Sequence, residues 1–191
     1  MRSCEDVAKY GASTSGEYEI LDSNIEAFLV YCDLHSESGF VWTLIQSFSL
    51  AAKRIYMDKR FGEKIEIDTE KRVVDWNRYR LSLSQMHSLA DHSTHLRATC
   101  NFLIDGLQYS DYARAKLTGH DIFGSWIRCQ MYEYVNIRGK NCSNCTALTK
   151  QNKRQAGQPI QETIGARLGT NCGLMELQVG STFGAELELN F

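Results

Sequence analysis

Cys4 and Cys32 bracket two strand-like runs, and a third run carrying Trp42 follows directly. This spacing constrains the chain more than any other feature. A bridge between the two sulfurs would pin an entering turn to a buried strand. Closing a loop of that length stabilises by about 3 kcal/mol in the chain-entropy model. The alternative is a pair of free buried thiols. Around these cysteines the local signals agree. Ser3 can cap a first turn, with Asp6 in the capping-box place. Gly11 and residues 13–16 break the chain. Residues 17–21 read as a short strand with Tyr18 and Ile20 on one face. Residues 28–32 are apolar on both faces and read as a central strand. Residues 41–46 alternate Val41, Thr43 and Ile45 against Trp42 and Leu44. The simplest arrangement is an antiparallel meander of three strands.

Further along, Leu50, Ala51, Ala52, Ile55 and Tyr56 suit a short helix among basic residues. Ile65 and Ile67 alternate with charges as in a half-exposed strand. Ser82 and Gln85 form a capping-box pair ahead of Leu83, Met86, Leu89 and Ala90, which predicts a helix ending near His92. Residues 126–129 and 132–137 read as strands, residues 119–124 as a loop, and residues 141–146 as a looped cysteine segment. Residues 150–171, with the single proline, read as a long surface loop. The chain closes on a hairpin pattern, with Met175, Leu177 and Val179 on one arm and Ala185, Leu187, Leu189 and Phe191 on the other.

The composition of 191 residues, 43% hydrophobic and 23% charged, suits one domain with a real core. A net charge of −2 argues against a nucleic-acid surface. No apolar run reaches membrane-spanning length. Met1-Arg2-Ser3 leads into Cys4 without an apolar targeting stretch, so either the protein is cytosolic or this is a fragment of a longer secreted chain. The seven cysteines, Cys4, Cys32, Cys100, Cys129, Cys142, Cys145 and Cys172, support the second. Their odd number leaves one thiol free or linked to another chain, which allows oligomers. Asn141-Cys142-Ser143 and Asn144-Cys145-Thr146 are glycosylation sequons at Asn141 and Asn144.

Cys142 and Cys145 could supply half of a zinc site, yet no second ligand pair stands at suitable spacing. A redox pair of this spacing normally opens a helix that lowers the first thiol's pKa, and here it follows a strand. The structural alternative bridges these cysteines to each other or to Cys100, Cys129 or Cys172. His87, His92 and His95 do not share one helix face. No nucleophile elbow, phosphate loop or dinucleotide fingerprint occurs, so no catalytic residue is assigned.

Cys4-x-Asp6, Thr14-Ser15-Gly16-x-Tyr18-x-Ile20, Val30-Tyr31-Cys32-Asp33 and Trp42-Thr43-Leu44-Ile45-Gln46 resemble the opening of a fibrinogen-like domain. The resemblance implies that Cys4 and Cys32 form that family's first disulfide. Phe40-Val41 stands where the family has a glycine run. Cys172 followed by a strand is more weakly similar to the GON domain of extracellular metalloproteases. The family's usual ion is calcium, but its acidic loop is not recognisable here. Asp105, Asp111 and Asp121 are scattered, so no cofactor or metal is assigned.

The expectation is therefore an α+β fold in one domain of two lobes, residues 1–48 and 49–191. A small disulfide-tied antiparallel sheet packs on a mixed lobe with one clear helix and a terminal hairpin. By resemblance the function is extracellular recognition of glycan or protein surfaces without turnover. The alternative is a structural matrix or interaction domain with no small ligand. The candidate binding loops are residues 109–124 and 141–170. Tyr109, Tyr112, Phe123 and Trp126 are the candidate stacking residues, with core packing as their alternative role.

Overall fold

The computed structural model describes residues 1–57, 59–61, 63, 65, 73–117, 123, 126–137, 139–150 and 174–182. Helix α1 (Cys4–Lys9) begins where Ser3, extended at its own backbone, accepts the Asp6 amide at 3.2 Å. Strands β1 (Gly16–Leu21) and β2 (Ala27–Asp33) form an antiparallel hairpin. Its turn is held by the Asp22 carboxylate, which accepts the amides of Asn24 and Glu26 at 2.8 and 3.0 Å. Strand β3 (Phe40–Ser49) completes the meander by pairing with β2. The Cys4–Cys32 disulfide, with Cα atoms 5.3 Å apart, ties α1 to β2.

A 3-10 turn (Leu50–Ala52) and the short helix α2 (Lys53–Met57) follow. Strand β4 (Arg78–Arg80) then returns to pair with β3. Helix α3 (Leu83–Ala90) starts at a full capping box. Ser82 Oγ accepts the Gln85 amide at 3.2 Å, and the Gln85 side chain accepts the Ser82 amide at 2.9 Å. Beyond it come β5 (His95–Cys100), the one-turn helix α4 (Phe102–Asp105), β6 (Tyr112–Lys116), β7 (Trp126–Ile137), β8 (Lys140–Lys150) and β9 (Leu174–Thr182).

Residues 141–146, expected to loop, lie within β8. Gly139, at φ 77°, turns the chain, and residues 140–146 then pair residue by residue with β7. The two strands expected between residues 126 and 137 are one continuous strand. The first arm of the terminal hairpin is β9, and its second arm lies outside the described residues. So do Ile67, Asp121, Cys172 and all but the edges of the loops expected at 119–124 and 150–171.

Every pairing is antiparallel. The strand order is β1-β2-β3-β9-β5-β6-β7-β8, with β4 added beside β3. The meander therefore continues into the rest of the sheet through β9, which sits between β3 and β5. Strand β3 is buried along nearly its whole length, so both of its faces are covered. Val41 and Ile45 gather with Val7, Ile20, Val30, Met86, Leu89 and the Cys4–Cys32 bridge in the main core. Each such aliphatic side chain, fully buried, contributes roughly 1.5–3 kcal/mol. A second cluster joins Ala98, Ala113, Ala115, Tyr132, Val135 and Ile137. No helix among the described residues is long and apolar enough to cross a membrane.

Gly180 lies opposite Trp42 in the β3–β9 register. A Cβ at this position would stand 2.2 Å from the Val41 carbonyl oxygen and 2.7 Å from the Trp42 ring. The missing side chain is what lets the indole lie flat over β9. Gly180→Ala is expected to cost roughly 1–3 kcal/mol or more, through overpacking against fixed backbone. Urea unfolding checks this, and an unchanged midpoint would refute the packing account.

Candidate recognition site

Strand registers set a row of residues across the sheet. Asp33 is opposite Trp42, Trp42 opposite Gly180, and Gln178 opposite Arg97. Arg97 is in turn opposite Arg114, and Arg114 opposite Tyr134. The alternation of a strand puts such positions on one face. Arg97 is wholly buried there. A buried guanidinium needs paired charges and filled hydrogen bonds to be tolerated, and the neighbouring strands supply them. Nη2 meets Asp33 Oδ2 at 2.5 Å, Nη1 meets Glu37 Oε2 and Ser36 Oγ at 3.1 Å, and Nε donates to Gln178 Oε1 at 2.5 Å. Its Cζ lies 4.6 Å from the centre of the Trp42 ring and 5.1 Å from that of Phe102.

The turn between β2 and β3 is fixed by the same charges. Asp33 accepts the amides of His35 and Ser36 and the hydroxyl of Ser36. Glu37 is 4% exposed and is shared among three donors. Besides Arg97, these are the Tyr112 hydroxyl at 2.8 Å and Arg114 Nη1 at 2.5 Å. Arg114 passes on to Glu133 at 2.8 Å and lies 4.7 Å over Phe40. Glu133 also faces Lys116 at 3.5 Å and His95 Nε2 at 3.3 Å. The network thus runs from β2 to β7 without a break.

Its electrostatics follow from this geometry. Burial alone would raise the Asp33 carboxyl, but the Arg97 charge and the Ser36 hydrogen bonds outweigh it and hold it below the usual range. Burial pushes on Glu133 in the same way, and His95 and Arg114 reverse it. Burial lowers His95, and Glu133 recovers part of that loss against Arg114 and Lys116. Burial and Glu37 together keep the Tyr112 phenol protonated well past its ordinary range. Each carboxylate is engaged by cations.

Above the network lies the open part of the site. Tyr109 is 51% exposed. Its ring sits edge-on at 5.0 Å from Tyr112 and 6.3 Å from Tyr134. Tyr112 is fully buried and anchored through Glu37, so Tyr109 rests on a fixed support. Exposed Leu103 and Ile104 lie just upstream on α4. Of the residues singled out from the sequence, the fold brings Tyr109 and Tyr112 together, with Tyr109 facing solvent. Phe123 is placed elsewhere, buried in the main core against Phe61 and His87. Trp126 opens β7, and its side chain lies outside the described residues.

Asn141 and Asn144 are both exposed on β8, and Cys142 bridges Cys145. Cys100 is bridged as well. The side chains of Cys129 and Cys172 are not among those described. Among the described residues, no group of three or more His, Cys, Asp or Glu is arranged to hold a metal ion. His87 lies in the last turn of α3, while His95 lies in β5. Reasoning from sequence missed Asp33, Glu37, Arg97, Arg114 and Tyr134. The available signal was the alternation of His95, Arg97 and Thr99 with Leu96 and Ala98, which marks a strand with a polar face toward the interior.

Residues 1–93 match the family described as fibrinogen beta and gamma chains, C-terminal globular domain. This part of the chain is similar to that domain, and the match runs well past the motifs of its first 46 residues. No curated protein matches the chain in sequence. Among solved structures, the lamprey fibrin D-dimer, complexed there with the peptide Gly-His-Arg-Pro-amide, is similar over 100% of this chain and 79% of its own, at 12% identity and a TM-score of 0.49.

Two outcomes are expected. Arg97→Met would strand Asp33 without its cation, leave Glu37 to Arg114 and Tyr112, and cost about 3–5 kcal/mol. Urea unfolding would show this, and a loss below 1 kcal/mol would refute it. For pH, His95 in the folded chain protonates below its ordinary value of 6.5, while the unfolded chain does so at that value. The unfolded state therefore binds more protons as pH falls, and stability declines below about 6.5. The depressed carboxyls of Glu133 and Asp33 extend the decline below their ordinary values of 4.5 and 3.8. Melting temperature between pH 8 and pH 3 should fall in that order, and His95→Gln should remove the first phase.

Proposed function

We propose that the chain is a secreted recognition module of fibrinogen-related type. It binds a glycan or an extracellular protein through the face around Tyr109 and performs no turnover. The observation that carries this reading is the half-exposed Tyr109 ring, held against Tyr112 and Tyr134 over a charge network that fixes its position. A preorganised aromatic face loses little entropy on binding and can stack on a sugar ring or fill a protein pocket. The fibrinogen-like match over residues 1–93 supports a binding role, since domains of that class are generally non-catalytic and extracellular. The disulfides support an oxidising compartment. A second reading, a structural interaction domain linked to other chains, is favoured by the odd cysteine count alone.

The test pairs a glycan array with a panel of displayed extracellular proteins. At least one specific ligand is expected, and Tyr109→Ala should weaken its binding about tenfold, as loss of an aromatic anchor does. The melting temperature should stay unchanged, because Tyr109 is half exposed. Failure of both screens, or equal binding by the variant, would refute the reading. A covalent dimer on a nonreducing gel would favour the second.

A further inference from the structure

We propose that the Cys142–Cys145 bridge is a thiol-exchange site, opened by an external thiol at the exposed sulfur of Cys142. The described bridges stand in contrasting settings. Cys4 and Cys32 are both 0% exposed, and their bridge joins α1 to β2 across a sequence separation of 28. The Cys142–Cys145 bridge spans a separation of three within one strand. Cys142 is exposed, and Cys145 is half-buried against the cluster containing Ala98, Ala113 and Ala115. The hold of a disulfide on the unfolded chain grows with the loop it closes. The Cys142–Cys145 bridge connects no two elements and closes almost no loop, so the fold does not depend on it.

Access favours attack. Strand β8 is the last strand of the described sheet. Its neighbours around the bridge, Asn141, Ser143, Asn144 and Thr146, are small, polar and exposed. Exposed disulfides are the ones that thiols reach and reduce.

The external thiolate forms a bond to Cys142 Sγ, the Cys142–Cys145 bond breaks, and Cys145 leaves as a thiolate that takes a proton from solvent. The product is a mixed disulfide on Cys142. A second external thiolate attacks the external sulfur of that mixed disulfide and releases Cys142, leaving two protein thiols and one oxidised external disulfide. Two thiols supply the two electrons. The ligand class is therefore a thiol, and the site stands apart from the Tyr109 face.

The test titrates the intact, folded protein with glutathione, traps thiols by alkylation and maps them by peptide mass spectrometry. Cys142 and Cys145 are expected to open at a thiol concentration at least tenfold below that which opens Cys4 and Cys32. Glutathione is expected as an adduct on Cys142. A parallel arm with a dithiol protein such as thioredoxin distinguishes the source, giving clean reduction of both cysteines without an adduct. Cys145→Ala, which leaves Cys142 unpaired, should take up glutathione from its disulfide at Cys142 while melting within a few degrees of the parent. If Cys142–Cys145 resists until Cys4–Cys32 opens, or if the adduct falls on another cysteine, the proposal is overturned. The wild-type titration decides even if the variant fails to fold.

Discussion

A guanidinium with no exposed surface governs this molecule. The charge of Arg97 could not be buried at a tolerable cost without Asp33, Glu37 and Gln178, and those partners come from distant parts of the chain. The desolvation cost of one buried ion is several kcal/mol, so the network stabilises only when every member is present. That requirement turns a set of hydrogen bonds into a specificity device. The β2–β3 turn cannot take another conformation without stranding Arg97. Likewise β5 cannot slip by one residue against β9 without turning Arg97 to the opposite face.

The same charges explain why an exposed ring can be held still. Tyr112 is immobilised by its bond to Glu37, and Glu37 by two arginines. Order is therefore carried from the main sheet to Tyr109 through side chains rather than through a loop. The face proposed for binding is therefore ordered in the unliganded chain. The network also couples that face to acid, because the Glu133–His95 contact sits one link away from Arg114.

Much of the amino-terminal half was legible because its signals are local. The Ser3 cap, the Ser82–Gln85 box and the apolar pattern along each strand of the meander depend on residues within one element. The fibrinogen-like motifs pointed the same way. What could not be read was non-local. Strand β4 is three residues long and exists because β3 offers it an edge. Strand β8 is rich in Asn, Ser and Cys, which locally favour turns, yet it is extended because the Gly139 turn lays it along β7. The site was legible only at Tyr109 and Tyr112. Nothing local to Arg97 or Arg114 marks their partners; strand pairing brings them beside Asp33, Glu37 and Glu133.

The position of β9 has a consequence for how the chain is made. Residues 174–182 pair on both sides, with β3 and with β5, although both partners are synthesised long before them. Until the last strand emerges from the ribosome, the nascent chain carries two unsatisfied strand edges, one of them the apolar β3. Such edges recruit other chains. Biogenesis of this fold therefore contains an interval in which chaperone protection matters most, and its length is set by the time needed to translate from residue 100 to residue 182.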